Sequence, residues 1–320
     1  MKSNSGTKQL PTICFVLAAK HLGLYADMTA VAALSVRRLH PQARIILVTD
    51  EPTARAIDRD SHALGKIVSE IVVRPTGTEN PVVGSRHLRT VLRQLVKGDY
   101  LYLDSDTIAV RPLDRGWPKE ADLAMCRDWN QRGIPPAAAP GVENLRAALG
   151  WEFRMDRYLN AGVMFVRDTP AAHAFYSEWH RRWKQTLALG IREDQWSVNS
   201  ASAAGIATIA ILPDRDNWVT HSKAMLRGRA RIFHFWASAY GDGIPANTLL
   251  GHLISRFQRD GALDEVTIAS ATKNNFPWMD IRLKHMLASG RYIRAGRMVA
   301  PSIIRRIRRT LSRYRHRPDS

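Results

Sequence analysis

Two carboxylates one residue apart stand where an apolar run stops. In YLYLDSDTIAVRPL, from Tyr100 to Leu113, Asp104-Ser105-Asp106 divides two hydrophobic stretches. Two acids buried without partners are too costly. At the carboxyl end of a strand both can instead point into a crevice and hold a hard divalent cation through oxygen. A cation held there neutralises charge that grows on a departing phosphate. Asp-X-Asp alone is a short pattern that an acidic strand-end turn also satisfies. Three further segments narrow the reading. YLNAGVMFVR places Asn160-Ala161-Gly162 at the start of an apolar strand, where a glycine lets backbone approach a ligand closely. Asp194-Gln195 opens a helix. IFHFWAS puts His234 at the end of a short apolar strand. A lone histidine in such a place is usually a satisfied core residue. Beside Asp104 and Asp106 it becomes a third ligand, and mixed carboxylate and imidazole ligation favours manganese over magnesium or calcium.

These residues need a scaffold that gathers distant segments at one crevice. Residues 12–18 (TICFVLA) read as a buried strand, followed by an amphipathic helix over 25–39 that His40-Pro41 stops. Residues 44–49 form a second strand, 53–64 a helix ending at Gly65, 66–73 a third strand, 85–97 a helix stopped by Gly98, and 99–103 a fourth strand. This β-α-β-α-β-α-β alternation predicts an α/β fold with a mainly parallel sheet covered by helices on both faces. In such sheets ligands bind beyond the carboxyl ends of the strands, which is where Asp104 and Asp106 stand. The second half reads as strands at 121–126, 161–166, 207–212 and 232–235, with helices at 170–189 and 194–204. Residues 131–150, with their PPAAAPG run, read as a loop over the site.

With 320 residues, 45% of them apolar, the chain is long enough for a large α/β core. Its two cysteines, Cys14 and Cys126, lie in apolar strand-like runs and read as buried thiols without a disulfide framework. No apolar run reaches the ~18 residues of a membrane span. Lys2 and Lys8 followed by the stretch from Leu10 to Ala19 have the outline of a short signal peptide. Pro11 and Thr12 interrupt that stretch, and it leads directly into a strand–loop–helix unit, so it is read as the first strand.

Taken in order, LYLDSDT, NAGVMF, DQWSVN and IFHFW resemble glycosyltransferase family eight, which includes glycogenin-like enzymes and bacterial lipopolysaccharide galactosyl- and glucosyltransferases. The resemblance spans about residues 10–240. It implies a GT-A fold, a single Rossmann-like domain over residues 1–260 with residues 261–320 as a basic helical extension. It also implies retaining transfer of a hexose from a UDP-sugar, with Mn2+ (or Mg2+), to a hydroxyl of a glycan or glycolipid acceptor. Position by position, the resemblance makes Asp104, Asp106 and His234 the metal ligands. Ala18 and Tyr25 fall at the nucleoside, with Tyr25 stacking on uracil; packing at a helix N-terminus is the other reading of Tyr25. Ser105 falls at the ribose or phosphate, and Arg86 or Arg89 at the phosphates or donor sugar, a choice the sequence leaves open. Asp128, Asn160, Asp194 and Gln195 fall at the donor sugar, Gln195 nearest the reacting anomeric carbon.

The chain also departs from the family. Where many members continue the histidine segment with a glycine and Lys-Pro-Trp, Ala237 and GDGIP follow here without lysine. Lys223, Arg227 or Arg229 are the candidates to replace it. The usual Asp-Gln-Asp is Asp194-Gln195-Trp196, and Ala19 stands near the place where some relatives carry an acidic uracil contact. These departures keep a catalytically inactive nucleotide-sugar-binding protein as an alternative. A basic nucleic-acid-binding protein accounts for the charge but not for acids at a strand end, and no nucleic-acid motif occurs. A glycoside hydrolase needs its carboxylates several ångströms apart across the scissile bond, whereas i and i+2 suit a single metal.

Net charge is +18 and unevenly placed: residues 281–320 hold twelve Lys/Arg and one acid, Asp319. From Pro301 to Arg317 the sequence PSIIRRIRRTLSRYRHR repeats Ile303, Ile304, Ile307, Leu311 and Tyr314 at helical spacing among arginines. A basic amphipathic helix of this kind lies on anionic membranes. The expectation is a cytoplasmic enzyme, peripheral on the inner face of the membrane. The full chain should sediment with vesicles containing anionic lipid and not with neutral ones, and deletion of residues 303–317 should abolish sedimentation; unchanged binding after the deletion would count against the reading.

Overall fold

The computed structural model describes residues 10–114, 116–128, 140–219, 229–235 and 249–272. The first half runs β1 (Thr12–Leu17), α1 (Leu24–Leu39), β2 (Ile45–Thr49), α2 (Glu51–Arg59), α3 (Leu64–Ile67), β3 (Glu70–Val73), α4 (Pro81–Thr90), α5 (Leu92–Leu95), β4 (Tyr100–Leu103) and β5 (Thr107–Ala109). The second runs β6 (Leu123–Arg127), α6 (Pro140–Leu149), β7 (Leu159–Val166), α7 (Pro170–Ala188), α8 (Gln195–Ala203), β8 (Ile209–Leu212), β9 (Trp218–Val219), β10 (Ile232–His234), α9 (Leu249–Asp260) and α10 (Glu265–Thr272).

Seven strands form the central sheet in the order β3-β2-β1-β4-β7-β6-β8. All neighbours are parallel except β7, which runs antiparallel to both β4 and β6. This is the mainly parallel α/β sheet that the alternation predicts. Its strands are buried on both faces, so alternate residues of one strand feed two cores. In β1, Ile13, Phe15 and Leu17 join a cluster with Val31 of α1 and Leu253 of α9, while Cys14, Val16 and Ala18 join Leu88, Leu92, Phe175 and Trp179 on the other side. Both cysteines are free and buried, and burial holds their thiols well above the usual range. Among the described residues no helix is long and apolar enough to cross a membrane.

Strand order fixes where a ligand can sit. The chain winds from β1 outward through β2 to β3, then returns to place β4 on the opposite side of β1. The carboxyl ends of β1 and β4 therefore flank a topological switch point, where helices leave in opposite directions and open a crevice. A second, three-stranded sheet, β5-β10-β9, stands beside it.

Several expected elements differ in detail. The helix expected at 53–64 is two helices, because Ser61 adopts a left-handed backbone (φ 47°) that ends the first. Gly65 lies inside the second rather than after it. The helix expected from Ser85 begins at Pro81, where the Asn80 side chain accepts from the N–H groups of Val82 and Val83 at 3.1 and 3.2 Å. Of the loop expected over 131–150, residues 131–139 lie outside the described part, and Pro140–Leu149 is helical. A leading proline suits the first turn, the Leu-Arg-Ala-Ala-Leu run from Leu145 to Leu149 is made of good helix formers, and Leu145 anchors the helix against Trp151, Phe153 and Tyr158. β9, α9 and α10 were not expected. α9 is strongly amphipathic, burying Leu249, Leu250, Leu253, Ile254 and Phe257, and α10 sends Ile268 into the same core. The basic segment from Ile303 to Arg317 lies outside the described residues.

Candidate active site

The first sheet ends and the second begins within three residues. β4 stops at Leu103, Asp104-Ser105-Asp106 turns the chain, and β5 starts at Thr107. β10 pairs antiparallel with β5 so that His234 lies opposite Thr107, and the N–H of Phe235 donates to the Asp106 carbonyl at 2.8 Å. This register carries His234 to the two aspartates. Its Nε2 is 3.3 Å from Asp106 Oδ1 and 3.8 Å from Asp104 Oδ2. Ligand atoms from all three residues lie within 4.8 Å of one another.

The histidine is 1% exposed, and its Nε2 has no hydrogen-bond partner. A buried polar atom left without a partner is rare and costly; here it faces two carboxylates that are only partly exposed. Oxygen–oxygen–imidazole is a donor set for a divalent first-row cation, and these residues fit one. The other ring nitrogen, Nδ1, lies 2.9 Å from Asn217 Oδ1. Asn217 Nδ2 in turn donates to Asn160 Oδ1 at 2.9 Å, and the same oxygen accepts from the N–H of Gly162 at 2.9 Å. Asn160 thus spends its carbonyl oxygen on the histidine's support.

Gly162 is fitted to this centre. Its carbonyl accepts from the N–H of Asp104 at 2.8 Å. A Cβ added to it would stand 2.4 Å from His234 Cε1 and 2.6 Å from Asp104 Oδ2. The small residue that the sequence places at a close approach is therefore required by side chains of the protein itself.

A second layer of charge extends the site across the crevice. Tyr102 points to the same side of β4 as Asp104, two residues on, and its hydroxyl donates to Asp104 Oδ1 at 2.5 Å. Burial and the neighbouring Asp104 carboxylate hold that phenol well above its usual pKa, so it remains a donor. Arg89, 4% exposed, lies between two acids: Nη1 is 3.3 Å from Asp104 Oδ1, and Nε is 3.3 Å from Asp194 Oδ2. Its guanidinium sits over the rings of Tyr102 and Trp179, at 5.1 and 5.7 Å. Burial opposes its charge, but Asp104 and Asp194 outweigh burial and raise its pKa. Arg86, one turn earlier on the same face of α4, pairs with Asp194 Oδ1 at 3.4 Å, and its side chain is 33% exposed. Burial thus separates the two arginines that the sequence leaves equivalent: Arg89 is locked inside and Arg86 borders solvent.

Asp194 stands at the N-terminus of α8 yet does not cap it; its carboxylate is turned to the arginines. Gln195 Nε2 donates to the Leu159 carbonyl and, at 3.3 Å, to Asp128 Oδ2, which brings Asp128 and Gln195 together. On the β1 side, Thr29 Oγ1 lies 2.7 Å from the Tyr25 carbonyl and 2.8 Å from Ser105 Oγ, tying Tyr25 to the aspartate turn. The Tyr25 ring is 54% exposed. Ala18 directly follows β1, and its side chain is buried beneath α4, close to Gly84. Of the replacement cations, Arg229 is exposed, while Lys223, Arg227 and the segment containing Ala237 lie outside the described residues. Tyr102, Thr29 and Asn217 carry no role in the sequence reading. Tyr102 is legible after the fact by its i, i+2 relation to Asp104; Asn217 offers no local signal.

No protein-family model matches the sequence, and no curated protein does. Among solved structures, the galactosyltransferase LgtC in complex with donor and acceptor sugar analogs matches over 78% of this chain and 94% of its own length, with 18% identity and a TM-score of 0.49. The glycosyltransferase GlyE of Streptococcus pneumoniae TIGR4 matches over 82% of this chain, with 14% identity and a TM-score of 0.52, and the chain spans 63% of the length of GlyE. The likeness is one of fold. The chain has the GT-A, Rossmann-like architecture that its resemblance to glycosyltransferase family eight implies, and its chemistry rests on its own residues.

Gly162→Ala should push His234 and Asp104 apart and weaken Mn2+ binding by about tenfold or more, with circular dichroism unchanged; titration by electron paramagnetic resonance measures it, and wild-type affinity in the variant would contradict this geometry. Burial works against the His234 imidazolium, but Asp106 and Asp104 raise its pKa above the ordinary value. Without metal, the histidine's contribution to stability is full below the ordinary pKa and is lost as pH rises through the raised one. A cation needs the neutral ring, so the stabilisation by Mn2+ in thermal melts should grow as pH rises from the ordinary imidazole pKa through the raised one.

Proposed function

We propose that the protein is a metal-dependent glycosyltransferase that moves a hexose from a UDP-sugar to a hydroxyl of a glycan or glycolipid, with retention of anomeric configuration. The observation that carries the reading is the buried Nε2 of His234, without a hydrogen bond and facing the carboxylates of Asp104 and Asp106 at 3.8 and 3.3 Å, at the crevice between the ends of β1 and β4. Asp104, Asp106 and His234 would hold a divalent cation, manganese or magnesium, which when bound supplies charge neutralisation to a diphosphate.

The other residues divide the remaining work. Tyr25 offers an exposed ring to a base, and Ser105 lies beside it for the ribose. Arg86, at the solvent side of the Asp194 pair, is placed to meet phosphate or sugar hydroxyls. Arg89 holds Asp104 and Asp194 at fixed separation. Asp128, Asn160, Asp194 and Gln195 are the residues that would meet the donor sugar, with Gln195 held by the Leu159 carbonyl and Asp128. The acceptor hydroxyl attacks on the face from which the diphosphate departs, and the departing oxygen takes its proton. A covalent intermediate on a protein carboxylate is the rival mechanism. Asp194 suits it poorly, being 3% exposed and paired with two guanidinium groups. Contact with an anionic membrane, and with it a place at the cytoplasmic face, rests on the basic pattern from Ile303 to Arg317.

Hydrolysis of a UDP-sugar panel, with and without Mn2+, tests the reading. One donor should release UDP in a metal-dependent manner, and Asp106→Ala should reduce that release about 100-fold or more. Failure of the wild-type protein to bind either UDP or Mn2+ would sink the assignment. Once an acceptor is found, an inverted linkage by NMR would rule out retention.

A further inference from the structure

The hydrogen bonds behind His234 admit one assignment of protons. The N–H of Gly162 can only donate, so the Asn160 atom 2.9 Å from it is the amide oxygen. That oxygen can only accept, so the Asn217 atom 2.9 Å from it is the amide nitrogen. With its nitrogen committed there, Asn217 turns its oxygen to His234 Nδ1, at 2.9 Å. An amide oxygen cannot donate. The proton between them therefore sits on Nδ1, and in the neutral ring Nε2 keeps its lone pair. Nε2 is the atom that faces Asp104 and Asp106. The opposite tautomer would set two lone pairs against each other at Asn217.

The surroundings keep this relay in place. Asn217 is 5% exposed and ends the 3-10 turn Asp214–Asn217, directly before β9. Its neighbour Asp216 is paired with Arg231 at 3.0 Å, inside the protein. Arg231 also donates to the Pro112 carbonyl at 3.1 Å, so the turn is tied to the chain beyond β5. β9 then pairs with β10 in the register His234 to Val219, which holds the donor ring in β10 beside the turn that carries its acceptor.

We propose that Asn217 is a positioning residue for the metal centre: with its amide keyed by Asn160 and the Gly162 N–H, it holds His234 in the Nδ1-protonated tautomer and presents Nε2 to a divalent cation beside Asp104 and Asp106. The inference rests on reading those three residues as metal ligands and adds the device that prepares one of them. Outer partners of this kind set ligand orientation and tautomer, and their loss typically weakens metal binding 10–100-fold.

Two measurements on the full chain test it. Long-range 1H–15N spectra of histidine-labelled, metal-free protein, taken at a pH above the raised pKa of His234 so that the ring is neutral, report the tautomer of His234 directly. Mn2+ affinity is then read by electron paramagnetic resonance for wild type, Asn217→Leu and Asn217→Asp. The expected results are a proton on Nδ1 in wild type, a roughly 10–100-fold weaker Mn2+ affinity in the leucine variant, and, in the aspartate variant, retention of the tautomer with an affinity between the two, because an acceptor for Nδ1–H is kept while the donor to Asn160 Oδ1 is lost. A proton on Nε2 in the wild-type protein overturns the inference with no variant needed, should the leucine protein fail to fold. Equal affinity in wild type and Asn217→Leu overturns the positioning role. Wild-type protein with the expected tautomer but no affinity for Mn2+ overturns the metal reading itself, and the role of Asn217 with it.

Discussion

The pairing of β5 with β10 is the constraint on which the rest of the site depends. Two sheets meet at Asp104-Ser105-Asp106, and only because β10 lies antiparallel to β5, with His234 opposite Thr107, does an imidazole from late in the chain reach two carboxylates from its middle. Neither sheet makes this site alone. The central sheet supplies the strand end and the crevice; the small sheet supplies the third residue of the candidate metal group and the support behind it. Three short strands suffice because their inner residues, Ile108, Trp218, Ile232 and Phe233, are buried in the same core as α1 and α9. The register of a ligand is thus held by hydrophobic packing that has no chemical role.

Charge is arranged in alternation across the crevice. His234 faces Asp106 and Asp104, Asp104 faces Arg89, Arg89 faces Asp194, and Asp194 faces Arg86. Removing one partner from a buried pair costs about 3–5 kcal/mol, because the other charge is left uncompensated. Arg89 and Asp194 are both nearly inaccessible, so each is tolerable only in the presence of the other. The aromatic rings of Tyr102 and Trp179 flank the guanidinium and keep water from it, which strengthens the same ion pairs they enclose.

Much of this was legible in the sequence, and the gaps have physical causes. Strands with unbroken apolar runs between turn signals are easily read, and the four motif segments lie at strand ends or at a helix start, where side chains can reach a crevice. Asp104, Asp106 and His234 were found because their residue types are costly in an apolar setting and share one chemistry. Arg86 and Arg89 stayed equivalent because they lie on one face of α4, and only three-dimensional packing against Trp179 and Tyr102 buries one of them. Asn217 was invisible because its partners come from β7 and β10, and nothing in the run Asp-Arg-Asp-Asn marks it. Breaks inside helices, as at Ser61, depend on a single backbone torsion that residue type does not announce, and α6 was masked by the proline-rich residues before it.

Arg89 has a further consequence. Its one positive charge is shared between an acid that would ligate a cation and an acid that would meet a sugar. A divalent ion settling on Asp104 competes with the guanidinium for that carboxylate and leaves more of its attraction to Asp194; a ligand that engages Asp194 returns attraction to Asp104. A cation at Asp104 and a ligand at Asp194 would therefore be thermodynamically linked through one side chain, and linkage is reciprocal: whatever the first did to the affinity for the second, the second would do equally to the affinity for the first. Loading would then be a concerted property of the crevice rather than the sum of two independent equilibria.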